Sequence, residues 1–335
     1  MTKKLLTAAL ATMVVTATAC GSSNTEATNP NTVRLEVLTS GLATTLHGIA
    51  EKVNAYQHEG LTVNATEVKS GDSTIAVQEL VQGRTDAVFV NTESVASLNS
   101  SYVSKGQDAP LKAVAATGNV ANLVLSPKIN YSGPTSLNGL TLGVSNLFSI
   151  HRASFDYYLG TQGTSEEQLG IKFVPLGASD MPSALASNQI DGFLHSEPTT
   201  TIALEQSNAK LALSMGGAVR EAAANVIAVR TDYLKSHGDT VKKLVSALQY
   251  ATDQFQKMSP PEIATVYASY TDASPDLMTK VNEQQDHYDP GLLPLRASAD
   301  AYWKVQIPAL LKQKAVSGDL TQDDMFDYSY GEGPQ

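Results

Sequence analysis

The same short phrase occurs twice in this chain. Gly83–Val90 reads GRTDAVFV and Asn188–His195 reads NQIDGFLH, and in each an Asp introduces a short apolar run. Asp86 and Asp191 are 105 residues apart, and the same shift carries Ser40 onto Ser145, Leu42 onto Leu147, Val68 onto Phe173 and Leu80 onto Leu185. Over the whole stretch the identities are few. What repeats is the order of elements, without a gap, over about 58 residues.

That order is strand, helix, strand, helix, strand. Thr32–Ser40 and Leu61–Val68 read as strands. Leu42–Tyr56 places Leu42, Leu46, Ile49, Ala50, Val53 and Tyr56 on one helical face, with Gly60 as its stop. Ser70–Gly83 is a second helix, with Asp72 or Ser73 as its N-cap. Strands alternating with helices build a parallel α/β sheet. Two such units predict an α/β fold of two lobes, each a mostly parallel sheet flanked by helices. Asn122–Ser126 and Asn225–Val229 both open on Asn, bracket the second unit and read as the two crossing strands. The expected domains are 32–121 plus 225–335 for lobe one and 122–224 for lobe two. Asp239 is expected to cap a long C-terminal helix, and Trp303 with Tyr302 to pack another. The polar, acidic residues from Gly318 onward are expected to lie loosely on the surface.

The N-terminus follows a different pattern. Lys3 and Lys4 precede an uncharged run from Leu5 to Ala19, which ends at Cys20. Such a segment is too short and wrongly flanked to span a membrane, and it reads as an export signal over 1–19. Cys20 is the chain's one cysteine. A lone thiol directly after a small-residue cleavage site resembles the bacterial lipobox, although Ala17 stands where Leu is usual. Residues 20–31 cannot build a core and read as a flexible tether. Without Lys3 and Lys4, 21 basic residues face 33 acidic ones, a net charge of −12. That excludes nucleic acid as a partner and leaves the lipid as the expected membrane contact.

In open parallel sheets, ligands sit beyond the carboxyl ends of the strands. The candidate residues are therefore Ser40, Gly41, Gly71, Asp72, Ser73, Asn91, Thr92 and Thr117 in the first unit. In the second they are Asn146, Phe148, Ser149, His151, Ser196 and Glu197. Most precede helices, whose unpaired N–H groups bind oxyanions without Lys or Arg, and the same side chains also serve as ordinary N-caps. Asp72, Glu93 and Glu197 repel an anion, so they either cap helices or pair at the rim, or one of them meets an ammonium or ring nitrogen. There is no G-x-S-x-G, G-x-G-x-x-G, P-loop or H-E-x-x-H motif, and the six histidines have no metal spacing. No catalytic residue, metal or cofactor is expected. His47 reads as a satisfied helix histidine.

Four segments, LVQGRTDAVFV, LNGLTLGVSNLFSIHRASFDYYL, MPSALASNQIDGFLHSEP and ANVIAVRTDYLKSHGDTVKKLVSAL, together resemble the SsuA/THI5-like group of type II periplasmic binding proteins. The resemblance spans roughly Val33 to Phe255. It implies closure of two lobes on a small solute for an ABC importer, with its permease and ATPase subunit as partners. The implied solute is a sulfonate, taurine, nitrate or a thiamine-precursor pyrimidine. A monomeric, extracytoplasmic, lipid-anchored bacterial protein follows from it. Ser149 carries over as the helix-start ligand group. Phe148 stands where the family has Gly, and Ser196 where it commonly has an aromatic before Glu-Pro. The alternatives are a sensor or binding module without transport and, less favoured, a pyrimidine-synthase-like enzyme, which would need a Cys-rich motif that this chain lacks. Replacing Cys20→Ser should abolish incorporation of labelled fatty acid and move the protein from the membrane fraction to the soluble fraction of expressing bacteria.

Overall fold

A computed structural model describes residues 31–38, 45–68, 73–118, 120–270, 274–284 and 291–331. The first unit consists of β1 (Thr32–Leu38), α1 (Thr45–Lys52), α2 (Ala55–His58), β2 (Thr62–Val68), α3 (Ser73–Val81), β3 (Ala87–Asn91), α4 (Thr92–Val103) and β4 (Leu111–Thr117). The second consists of β5 (Ala121–Leu125), β6 (Thr141–Val144), α5 (Ile150–Thr161), β7 (Lys172–Pro175), α6 (Met181–Ala186), β8 (Gly192–His195), α7 (Thr199–Ser207) and β9 (Lys210–Met215). The chain then runs through α8 (Ala218–Glu221), β10 (Asn225–Arg230), α9 (Thr231–Phe255), α10 (Pro260–Tyr270) and α11 (Pro275–Gln284). It ends in β11 (Leu292–Leu293), α12 (Leu295–Val305), α13 (Ile307–Lys312) and α14 (Gln322–Met325).

Two sheets form. One has the order β11-β4-β10-β3-β1-β2 and the other β7-β6-β8-β5-β9. From the outer edge, β2-β1-β3-β10-β4 repeats the order β7-β6-β8-β5-β9, so the duplicated pattern is a duplicated topology. In both sheets the fourth strand is the one that follows a crossing from the other sheet, and it runs antiparallel to its neighbours. The chain leaves the first sheet after Thr117 and returns to it at Asn225, which pairs with Thr117. The two crossings therefore start and end side by side. At Gly118 a Cβ would stand 2.5 Å from the Arg220 carbonyl of the return crossing, so the outgoing crossing needs a glycine there.

The repeated Asp has a structural reason. Asp86 Oδ2 accepts from the Arg34 backbone N–H at 2.9 Å, while the Asp86 N–H donates to the Arg34 carbonyl at 2.9 Å. Asp191 Oδ2 accepts from the Thr141 N–H at 2.8 Å, and the Asp191 N–H donates to the Thr141 carbonyl at 2.8 Å. Each carboxylate thus bonds the third strand of its sheet to the start of the first. The Arg34 guanidinium completes the first clamp at 2.6 Å from Oδ1.

The inner strands of both sheets are covered on both faces, which explains their near-continuous apolar character, while the outer strands β2, β7 and β9 are largely exposed. Leu35, Val37, Phe89 and Ile227 face α1, α9 and α10, while Val88, Val90 and Val226 face α3, α4 and the C-terminal helices. The second sheet buries Leu123, Leu142 and Phe155 on one face and Val124, Met181 and Phe193 on the other.

Three expectations are corrected. The helix over Leu42–Tyr56 is broken: α1 stops at Lys52, and Asn54 takes a left-handed conformation (φ 54°) before α2 begins. Asn tolerates that conformation, and the turn still buries Tyr56. α9 begins at Thr231, earlier than expected, and a kink at His237 (φ −130°) divides it into two helical segments, with Asp239 at the start of the second. The C-terminal residues are not loose. Met325 and Phe326 are buried against the first sheet, the Asp327 N–H donates to the Ala113 carbonyl, and Thr321 and Asp324 form a capping box. The acidic residues around this apolar pair mask its packing role. Tyr302 packs as expected, fully buried, and Trp303 lies partly buried beside it.

Replacing Asp191→Ala should lower stability by about 1–3 kcal/mol in urea unfolding, because the Thr141 N–H loses its acceptor. Asp191→Asn, which retains an acceptor oxygen, should lose less.

Candidate functional site

The strand-end residues gather in two groups. In the first lobe, Ser73 opens α3 and is buried, and its Oγ accepts from the Asn91 N–H at 3.4 Å. Asn91 ends β3, and Thr92 opens α4. The Thr92 hydroxyl donates to the Ala223 carbonyl at 2.5 Å, and its N–H donates to the Ala224 carbonyl at 3.1 Å, which ties this helix start to the return crossing. Asn91, Asn225 and Thr117 lie side by side in register. Thr117 Oγ1 and Asn225 Nδ2 are buried without a partner. Cys20, Ser40, Gly41, Gly71 and Asp72 lie outside the described residues.

In the second lobe, Asn146 Oδ1 accepts from the Phe148 N–H at 2.8 Å and leaves the Phe148 ring 47% exposed. Ser149 caps α5, and its Oγ accepts from the Arg152 N–H at 3.3 Å. His151, in the first turn of α5, stacks on His195 with ring centroids 4.7 Å apart. Ser196 follows, and then Glu197, which is 2% exposed and accepts at Oε2 from the Thr201 N–H at 3.0 Å. His47 sits elsewhere, buried on α1 and bonded to the Tyr56 hydroxyl at 2.8 Å, as expected.

Sequence reasoning missed Asn122 and His195 as members of the second group. Asn122 is fully buried on β5 and pairs in register with His195. The signal was the Asn that opens both crossing strands. A cavity of about 280 Å³ between α5 and the end of β9, lined by Tyr157, Tyr158 and Met215 among others, contains none of the expected residues.

Burial controls the charge of these groups. It drives His195 down to about 4 and holds His151 well below the usual imidazole range, with His195 itself adding to the latter shift. Both rings are neutral at pH 7. Burial pushes the Glu93 carboxyl up to about 7. Burial, and secondarily Glu93, hold the Tyr302 hydroxyl well above its ordinary value. The nearest guanidinium along the chain, Arg152, is bound to Glu166 at 2.8 Å and to the Leu147 carbonyl at 2.9 Å. Among the described residues, no three His, Cys, Asp or Glu side chains are grouped to hold a metal ion.

The lobes also touch away from the strand ends. Gln306 Nε2 donates to Ser154 Oγ at 3.1 Å and to the Ile150 carbonyl at 3.4 Å, and Val305 enters the core of the second sheet. Lys280 of α11 pairs with Glu205 of α7.

Comparison with known proteins places this geometry among others. The model of the NMT1-like family matches residues 26–269. A ligand-binding component of an ABC-type import system from Staphylococcus aureus, solved with zinc bound, aligns at TM-score 0.68 and 16% identity, over 90% of this chain and 100% of that one. A putative periplasmic sulfonate-binding protein from Methylobacillus flagellatus aligns at TM-score 0.70 and 15% identity, over 89% and 92%. The periplasmic nitrate-binding protein of Synechocystis aligns at TM-score 0.69 and 13% identity, over 90% and 87%. At these identities the likeness establishes the fold. A comparison with curated proteins finds no match.

Replacing Glu93→Gln should change the pH dependence of stability. A carboxyl whose pKa is raised on folding stabilises fully below about pH 4.5, and that contribution is lost as pH rises through about 7. Thermal unfolding of the Gln variant should therefore match the native protein at pH 5 and occur several degrees higher at pH 8.

Proposed function

The chain belongs to the NMT1-like family, and from that premise we propose that it is the extracytoplasmic solute-binding lipoprotein of an ABC importer. In this reading the two lobes are 32–121 with 225–335, and 122–224. A signal peptide over 1–19 and a tether over 20–31 leave Cys20 as the lipid attachment point. The protein captures a small polar organic or oxyanion solute, does no chemistry on it, and presents the closed form to a permease and its ATPase subunit.

The observation that carries this reading is the placing of two like sheets around two adjacent crossings. The crossings leave from Thr117 and arrive at Asn225, which are paired, so the sheets share one seam. Gly118 lies in the outgoing crossing, and Gly216 and Gly217 in the return. The polar strand ends of both sheets lie next to that seam. A solute that bonds to both groups favours the closed arrangement by its differential contacts, which is all that a population shift requires. Glu93 and Tyr302 lie beneath the first group and Gln306 behind the second, so α12 supports both helix starts from outside the cleft.

A thermal-shift screen of the purified protein against taurine, alkanesulfonates, nitrate and thiamine-pathway pyrimidines tests the reading. The true solute should stabilise by about 2.7 kcal/mol at a hundredfold excess over Kd, and the gain should grow logarithmically with concentration. A screen in which no small polar solute raises the unfolding temperature refutes it.

A further inference from the structure

The cavity of about 280 Å³ on the second lobe lies between α5, the outer edge of β9 and the return crossing. Its lining joins two buried apolar side chains, Met215 at the end of β9 and Val219 on α8, to the half-buried rings of Tyr157 and Tyr158. Thr161 and Ser214 are exposed at its rim, so solvent reaches it. Among the described residues, no charged side chain lines it.

Local features give the pocket its form. β9 is the edge strand of its sheet and pairs with β5 alone, so no further strand fills the space beside it. The chain then turns into α8 through Gly217, whose φ of 58° suits glycine. Tyr158 is held from two sides. Its hydroxyl bonds to the Tyr131 hydroxyl at 2.7 Å, and its ring stacks on Phe155 with centroids 6.4 Å apart. That wall is therefore formed before any ligand arrives.

Size and lining select a ring. A cavity of about 150 Å³ accommodates benzene, so this one takes a single ring with a short substituent. Tyrosine walls favour an aromatic ring, because contacts between π-systems add to the gain from burial.

Charge selects the substituent. Lys304 of α12 places its Nζ 6.0 Å from the centroid of the Tyr157 ring. It is exposed, and among the described residues no carboxylate pairs with it. The carboxylates of this region are engaged elsewhere: Asp156 and Glu167 with Lys312, and Glu166 with Arg152. With 33 acidic residues against 23 basic ones, this chain leaves few lysines without a carboxylate. One that stands beside an aromatic pocket is placed to meet an anion carried by the ligand.

We propose that this pocket is a second binding site, apart from the strand-end cleft, for a small aromatic carboxylate. The ring lies against Tyr157, Tyr158, Met215 and Val219, and the carboxylate meets Lys304. The site does not depend on what the cleft binds. Val219 belongs to the return crossing, so an occupant packs directly on one of the two connections between the lobes.

Probes that separate ring from charge test this. Phenylacetate is compared with phenylacetamide, benzylamine and acetate by calorimetry on the purified protein, and hydrogen exchange locates the contact. Phenylacetate should bind at millimolar concentration, about threefold tighter than phenylacetamide, the preference that an exposed ion pair supports. Benzylamine should bind more weakly than either, and acetate should not bind. Amide exchange should slow at 157–161 and 213–221 and stay unchanged at the strand ends, 91–94 and 146–151. Lys304→Gln should erase the preference for phenylacetate over phenylacetamide while retaining ring binding. Ser214→Trp, which puts a ring over the mouth, should abolish binding of both. If Ser214→Trp does not fold by circular dichroism, Lys304→Gln and the exchange map decide. Benzylamine or acetate binding as tightly as phenylacetate overturns the inference, as does a preference that survives Lys304→Gln. So does slowed exchange at the strand ends alone, or no binding of any ring probe. None of these results overturns the solute-binding reading of the cleft, which the thermal-shift screen tests separately.

Discussion

In each sheet a carboxylate at the entry of the third strand bonds the backbone of the first strand. Asp86 does this for Arg34 and Asp191 for Thr141. A parallel pair has no tight turn to set its register, and a slip of one residue turns every side chain to the opposite face. Here such a slip would place Leu35 and Val37 under the wrong helices and move every strand end out of line. With register held, the helix starts after β3, β6 and β8 arrive at one edge of their sheets. The candidate site is built from those starts.

The same register sets the crossings. Asn225 meets both Asn91 and Thr117 across the strands, and Asn122 meets His195. Each sheet takes in, beside β3 or β8, the strand arriving from the other, β10 or β5, so neither sheet is complete without a crossing. That interdependence places buried polar side chains beside the seam where the lobes meet. Thr117, Asn122 and Asn225 each retain an unpartnered polar atom there. Such atoms cost about 1–3 kcal/mol apiece when left without a partner. The C-terminal helices oppose looseness from the other side, because α12 contributes Tyr302 to the first lobe's core and Val305 to the second's.

How much of this was legible varied with the kind of signal. The apolar periodicity of β1, β3 and β8 was clear, because strands covered on both faces carry little else. The Ser149 cap was one of two readings of that serine, since the same position was also expected to meet the ligand. The break at Asn54 was not legible, because Val53 and Tyr56 keep the helical period across it. The C-terminal packing was hidden for a similar reason. Two apolar residues, Met325 and Phe326, hold a segment whose composition is that of a solvated tail. Glu93 looked like a strand-end acid, and only its burial beside Tyr302 showed that its carboxyl titrates near neutrality.

By itself the sequence determined the duplicated strand and helix order, the two crossings and the set of polar strand ends. These follow from local periodicity and from residues that act on their own backbone. The tertiary structure alone decided which polar groups remain unsatisfied. Asn122 and His195 are far apart along the chain and become neighbours only through antiparallel pairing. The hydrogen bonds of the Asn122 amide likewise depend on Thr200, a residue of another element. Burial and hydrogen-bond direction belong to assembled groups of residues, and no single position in a chain encodes them.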